Sequence, residues 1–153
     1  MVTIEKSDVT MIDKDMNEAI KLYLQGSKGT VEYAISSKDL DWKFYRKTYE
    51  QLNKTNNLIY IRVKDDCRVI GFAVVEVYPH SHFDFNVSAI NSIFLMEEYR
   101  RHGTGKQLLE FCFKCAKEAG AKAFYLIAPH GSKLEKVYQR EFIQTDSLFI
   151  KEL

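Results

Sequence analysis

The chain has 153 residues, 46% of them hydrophobic and 13% aromatic, which is the size and apolar content of a single domain spanning 1–153. Lysine and arginine number 22 against 21 aspartate and glutamate, and the resulting charge of +1 argues against a nucleic-acid-binding protein. No apolar run approaches the roughly 20 residues of a membrane span, the N-terminal residues lack the shape of a signal peptide, and an odd count of 3 cysteines suits a reducing compartment; the expected location is the cytoplasm.

A first strand is expected near Val2 to Glu5. Asp13 or Asp15 can cap a helix carrying Met16, Ile20, Tyr23 and Leu24 on one face, with Gly26 to stop it. Ser36-Ser37-Lys38-Asp39 opens a second helix, whose Trp42, Tyr45, Tyr49 and Leu52 repeat at helical spacing and read as core. Leu58 to Val63 and Val69 to Tyr78 are rich in Val, Ile and aromatics and flank a polar turn at Lys64-Asp65-Asp66-Cys67, as an antiparallel hairpin does. A third strand runs from about Val87 to Met96. A helix then carries Leu108, Leu109, Cys112 and Ala116 on one face, with Gly120 just past its end. Cys112 and Cys115 fall inside this helix with no second pair at zinc spacing, so they read as thiols without a metal or redox task. The apolar run Ala123 to Ala128 reads as a central strand ended by Pro129. Ser132 to Arg140 reads as a helix with Leu134, Val137 and Tyr138 apolar, and Phe142 to Leu153 as a closing strand.

The stretch Arg100-Arg101-His102-Gly103-Thr104-Gly105-Lys106 joins the third strand to the next helix. A helix N-terminus offers unpaired N–H groups and partial positive charge, and glycines let the backbone approach a ligand, so this is an anion site suited to phosphate or pyrophosphate. A P-loop is excluded because Gln107 follows Gly105-Lys106 and position 100 is Arg. A Rossmann fingerprint is excluded because position 108 is Leu.

Arg-x-x-Gly-x-Gly between strand and helix, within the order β-α-α-β-β-β-α-β-α-β, resembles the GNAT superfamily of N-acetyltransferases. The resemblance implies an α/β (α+β) fold, a mixed central sheet flanked by about four helices, in which the strand before the loop and the next one are parallel neighbours that splay apart to hold acetyl-CoA. It implies that the backbone of Leu95 and Met96 holds the pantetheine and acetyl carbonyl. It implies that Arg100, Arg101, His102, Gly103, Thr104, Gly105 and Lys106 form the pyrophosphate loop, with no metal. Tyr138 matches the tyrosine that many members carry on the helix after the splayed strand and is the expected acid for the thiolate. Gly131 stands where the family has Asn, Leu134 where it has Ala, and Glu141-Phe142 replaces its Gly-Phe one residue early.

Many members carry a Glu or His base on the strand before the loop. Ala89 and Asn91 occupy those positions here, and neither can take a proton; Asn91 can orient a water or the amine. Histidine titrates near neutral pH, so His82 or His80 in the following Pro79-His80-Ser81-His82-Phe83-Asp84 turn is a candidate, against a plain exposed turn, and Glu76 in the strand ahead is a weaker one. This stretch together with Ala89-Ile90-Asn91 also resembles GNAT proteins often encoded by bacteriophages, which would place the protein in a host cytoplasm. The resulting expectation is direct acetyl transfer from acetyl-CoA to a primary amine, on a small molecule or a protein, with a homodimer left open. The alternative is a non-catalytic CoA-binding or protein-interaction module.

Overall fold

A computed structural model describes residues 1–11, 17–27, 42–128, 130–145 and 151. In chain order the elements are β1 (Val2–Ser7), a 3-10 turn (Val9–Met11), α1 (Asn17–Ser27), α2 (Trp42–Thr55), β2 (Asn57–Asp65), β3 (Arg68–Pro79), β4 (Asn86–Leu95), a 3-10 turn (Glu97–Tyr99), α3 (Thr104–Glu118), β5 (Ala121–Tyr125) and α4 (Lys133–Glu141). Asp13, Asp15, Met16, Pro129, the helix start at Ser36 to Asp39 and the side chains of Trp42 and Tyr45 lie outside the described residues.

The strands form one mixed sheet in the order β1-β2-β3-β4-β5. The first three pairings are antiparallel and β4 with β5 is parallel, as a helical crossover through α3 requires. The expected hairpin is β2–β3; its polar turn narrows to Asp66-Cys67, with Asp66 in the left-handed region at φ 50°. β3 is buried without alternation from Val69 to Val75, which means that both faces of the sheet are covered. Helices α1 and α2 cover one face, where Tyr23 of α1 meets Phe72 edge-on at 5.5 Å, and α3 covers the other with Leu108, Cys112, Cys115 and Ala116. Ile20, Leu24 and Tyr49 are core as their spacing implied, and Tyr23 and Leu52 are partly buried against it.

Four expectations need correction. Gly26 does not stop α1; it lies in its last turn, where the modest helix cost of glycine is tolerated. The apolar run Ala123 to Ala128 is not a central strand among the described residues: β5 ends at Tyr125, has only β4 as neighbour, and leaves Ile127 73% exposed. Leu134 and Val137 remain exposed, so Tyr138 is the apolar residue of α4 that is buried. Residues 142–145 form no strand, and the rest of the expected final strand lies outside the described residues apart from position 151.

At Gly71, β3 leaves no room for a side chain against β4. A Cβ there would lie 2.7 Å from the Phe94 carbonyl oxygen and 2.9 Å from Leu95 Cδ1. Gly71→Ala should therefore lower unfolding stability in urea by about 1–3 kcal/mol, the usual cost of forcing an extra group into a packed strand pair; a change below about 0.5 kcal/mol would show that β4 yields there freely.

Candidate active site

β4 and β5 pair only over Asn86–Ala121, Val87–Ala123, Ser88–Phe124 and Ala89–Tyr125. The buried Ser88 hydroxyl donates to the Ala123 carbonyl at 3.1 Å and pins the closed end. Beyond Ala89 the two strands part, while β4 stays paired to β3 as far as Leu95. From Ala89 to Leu95 this leaves about 20 Å of β4 edge without a strand partner among the described residues.

Alternation along an antiparallel ladder decides which backbone groups face the opening. Met96 N–H donates to the Ile70 carbonyl at 2.9 Å, so the N–H groups of Ile93 and Leu95 point the other way, toward the gap. The Met96 carbonyl accepts from Tyr99 N–H at 3.0 Å. Both backbone groups of Met96 are thus engaged, and of the two residues named from sequence Leu95 alone offers a donor to the opening; Ile93 is the second, missed because hydrogen-bond direction is a property of register.

The pairing slips at the apex of the gap. Val74 faces Ser92 but Val75 faces Ile90, which leaves Asn91 as the extra residue of a β-bulge. The bulge turns Asn91 toward β3, where its Nδ2 donates to Glu76 Oε2 at 3.0 Å. Asn56, in the α2–β2 connection, donates to the other oxygen of the same carboxylate. Beside this point Ser92 Oγ donates to Tyr23 OH at 3.1 Å and lies 2.7 Å from Tyr49 OH, tying β4 to α1 and α2. Sequence gave no signal for Asn56, because its role exists only when the α2–β2 connection lies against β3.

The other end of β4 runs into the glycine loop. Arg100 Nε donates to the Leu95 carbonyl at 2.7 Å, and its guanidinium lies 5.6 Å from the Phe94 ring centroid, so the loop is fastened back to the strand. Arg101 at φ 68° and Gly103 at φ 85° then turn the chain into α3 through two left-handed positions. Arg101 and His102 are exposed and Thr104 is buried. Gly103 is the N-cap residue and no described side chain caps α3; its first intrahelical bond is Gln107 N–H to the Gly103 carbonyl at 3.0 Å. The N–H groups of Thr104, Gly105 and Lys106 are therefore left with helix-dipole charge and no intrahelical partner. A Cβ on Gly103 or Gly105 would meet no atom within 4 Å. Among the described residues, packing does not require glycine at position 105.

Tyr138 is buried, 9% exposed, on the inner face of α4. Phe142 N–H donates to its carbonyl at 2.9 Å, and the Phe142 ring meets both Tyr138 and Phe113 edge-on at 5.7 Å. Burial, and then the neighbouring Cys112, raise its hydroxyl above the ordinary range, so it is protonated near neutral pH. Ser132 caps α4 by accepting from Glu135 N–H at 3.1 Å while Glu135 accepts from Gly131 N–H at 2.6 Å, which seats this helix despite its altered motif. Burial pushes the Cys112 thiol up to about 12, with Cys115 adding to it, so Cys112 is a core thiol and no nucleophile.

His82 stands apart from these groups. It is exposed in the turn between Pro79 and Asn86, its Nδ1 2.8 Å from Ser81 Oγ, within a cluster of His80, Phe83 and Phe85. The turn lies at the closed end of β4, and strand length alone separates Asn86 from Asn91 by about 16 Å.

Residues 27–142 match the Acetyltransferase (GNAT) family. Among curated protein sequences none matches the chain. Similar solved structures include a GNAT family acetyltransferase from Staphylococcus aureus (TM-score 0.71, 13% identity, 99% of this chain and 98% of that one). They also include a ribosomal-protein-alanine N-acetyltransferase from Brucella melitensis biovar Abortus (0.73, 17%, 100% and 99%) and a glucosamine-6-phosphate N-acetyltransferase from Arabidopsis thaliana (0.67, 14%, 100% and 98%). At these identities the likeness is one of fold.

If position 105 is glycine for a ligand's sake, Gly105→Ala should raise the stability of the free protein by about 0.5–1 kcal/mol, the helix propensity difference, in urea unfolding. A loss of stability would show that the fold itself needs this glycine.

Proposed function

The chain belongs to the GNAT acetyltransferase family, and we propose that it is an acetyl-CoA-dependent N-acetyltransferase that passes the acetyl group straight to a primary amine. The observation that carries this reading is the parting of β4 from β5 beside the uncapped N-terminus of α3. An open strand edge and an unpaired set of helical N–H groups are the two features needed to hold a molecule with amide groups at one end and a pyrophosphate at the other. When bound, acetyl-CoA supplies the activated acetyl group.

In this reading the backbone of Gly103, Thr104, Gly105 and Lys106 holds the pyrophosphate, with Arg101, His102 and Lys106 adding donors or charge around it. Arg100 holds the loop against β4. Leu95 and Ile93 N–H groups bind along the open edge, the former nearer the loop, and the buried Met96 side chain supports the strand end. Asn91 orients the incoming nitrogen at the apex of the gap. Tyr138 keeps its proton until negative charge develops on the leaving sulfur, and then donates it. Transfer within one ternary complex agrees with the protonated, core-facing Cys112, since a covalent acetyl-enzyme would need an accessible thiolate. The setting proposed is the cytoplasm.

The test is direct. Acetyl-CoA at about 100 times its Kd should stabilise the chain by about 3 kcal/mol in a thermal shift. Mass spectrometry of cell extract incubated with labelled acetyl-CoA should show an acetylated amine only when the protein is present. Binding with no acetylated amine in extract or in a panel of primary amines would replace the enzyme with a CoA-binding module.

Tyr138→Phe keeps the ring against Phe142 and removes the hydroxyl. It should lower kcat by about 10- to 1000-fold with acetyl-CoA affinity nearly unchanged; parent-like turnover would end the acid assignment. Because His82 lies at the closed end of β4, His82→Ala should leave the pH profile of kcat/KM as it is, and loss of a limb near neutrality would contradict the geometry.

A further inference from the structure

We infer that Glu76 receives the acceptor's ammonium group and takes its proton, an assignment that rests on the acetyl-transfer reading and fills the place of the base that β4 lacks. Its position comes first. Glu76 pairs with Ala89, and Ala89 pairs with Tyr125 in the last closed row of the β4–β5 ladder. The carboxylate therefore stands at the apex of the gap, one row from the bulge.

Its partners come second. One oxygen accepts from Asn56 Nδ2 and the other from Asn91 Nδ2. The carboxylate is half-buried, and among the described residues no lysine, arginine or histidine lies within ion-pair distance of it. Two neutral amides fix its orientation without neutralising its charge. Each oxygen keeps a lone pair, so the site is a negative charge held ready for a cation that the described residues do not supply.

The surroundings fit an ammonium. Tyr78 lies two residues along β3 on the same face and Tyr125 on β5, the latter 43% exposed. Burial raises the Tyr78 hydroxyl, and Glu76 and then Tyr125 add to the shift, as their closeness requires. Aromatic rings beside a carboxylate stabilise an alkylammonium through both charge and ring quadrupole. Among the described residues, the groups facing Glu76 are thus the amides of Asn56 and Asn91 and the phenols of Tyr78 and Tyr125. The other carboxylates near β4 lie elsewhere: Asp84 in the turn at the closed end, and Glu97 and Glu98 past the far end.

The chemistry balances as follows. The ammonium gives one proton to Glu76, leaving a neutral amine with a lone pair. The N–C bond forms and the C–S bond breaks, and Tyr138 gives its proton to the sulfur. The nitrogen loses its second proton to water, water restores Tyr138, and Glu76 releases its proton to solvent. The net products are the amide, the free thiol and one proton.

The test uses the full chain, with tyramine, spermidine and lysine amide as probes. Calorimetry measures their binding to the CoA-loaded protein, and turnover with acetyl-CoA is followed against pH. Glu76→Gln should weaken amine binding by about tenfold or more. It should lower kcat/KM near neutral pH by about 100-fold and replace an acidic limb with a rise toward the amine's own pKa. CoA affinity and Tm should stay at the parent's values. Glu76→Asp, which keeps the charge one methylene back, should restore part of the amine affinity and the acidic limb. Amine affinity and a pH profile in Glu76→Gln indistinguishable from the parent would overturn the assignment and leave acetyl transfer standing. Amine binding that depends on Glu76 without any acetylation would keep the ammonium site and remove the transfer reading. Failure of every probe to bind the parent would overturn the ammonium site.

Discussion

Everything that makes this fold a candidate enzyme depends on one interrupted ladder. A buried backbone N–H or C=O without a partner is costly, so a strand does not leave its neighbour inside a sheet without other support. Here β4 loses β5 after Ala89 but keeps β3 on its other edge to Leu95. The closed end is pinned by Ser88 and the open end by Arg100 on the Leu95 carbonyl. The gap is thus built from strands held at both ends, and the N–H groups of Ile93 and Leu95 on that edge are fixed in direction by the β3 pairing.

Two further devices sit at the ends of that gap. At the apex, the bulge at Asn91 changes which side chains face α1 and α2 and brings an amide to Glu76. At the mouth, the left-handed turn through Arg101 and Gly103 points the start of α3 at the same space. Non-glycine residues in the left-handed region cost of order 1–2 kcal/mol, so Arg101 is held there by its setting: Arg100 fastened behind it and α3 packed on the sheet ahead. Strain of this kind is bearable because the α3 face and β3 are both fully buried.

Chemical roles divide along the same line. Tyr138 reaches its place from α4, where it is the buried residue between the exposed Val137 and Gln139 and is braced by Phe142. Asn91 and Glu76 reach theirs from adjacent strands. The two sets thus come from different layers of the fold, Tyr138 from a helix and Asn91 and Glu76 from the sheet.

Much of this was legible in the chain alone. The hairpin followed from β-branched runs around Lys64 to Cys67, the helix faces from spacing, and the tight turn into α3 from glycines placed between a strand and a helix, because each is a local pattern whose physics lies within a few residues. The buried role of Tyr49 and the capped start of α4 at Ser132 belong to the same class. What sequence could not decide depended on register and on neighbours far along the chain. An apolar run such as Ala123 to Ala128 reads as a central strand whether or not its partner leaves it. Leu134 and Val137 look like core until the helix is placed. The engagement of Met96, the freedom of Ile93, the distance of His82 from the gap, and the meeting of Asn56, Glu76 and Asn91 all follow from which residue pairs with which across β2, β3 and β4. A one-residue slip at a bulge changes them all, and no local propensity encodes that slip.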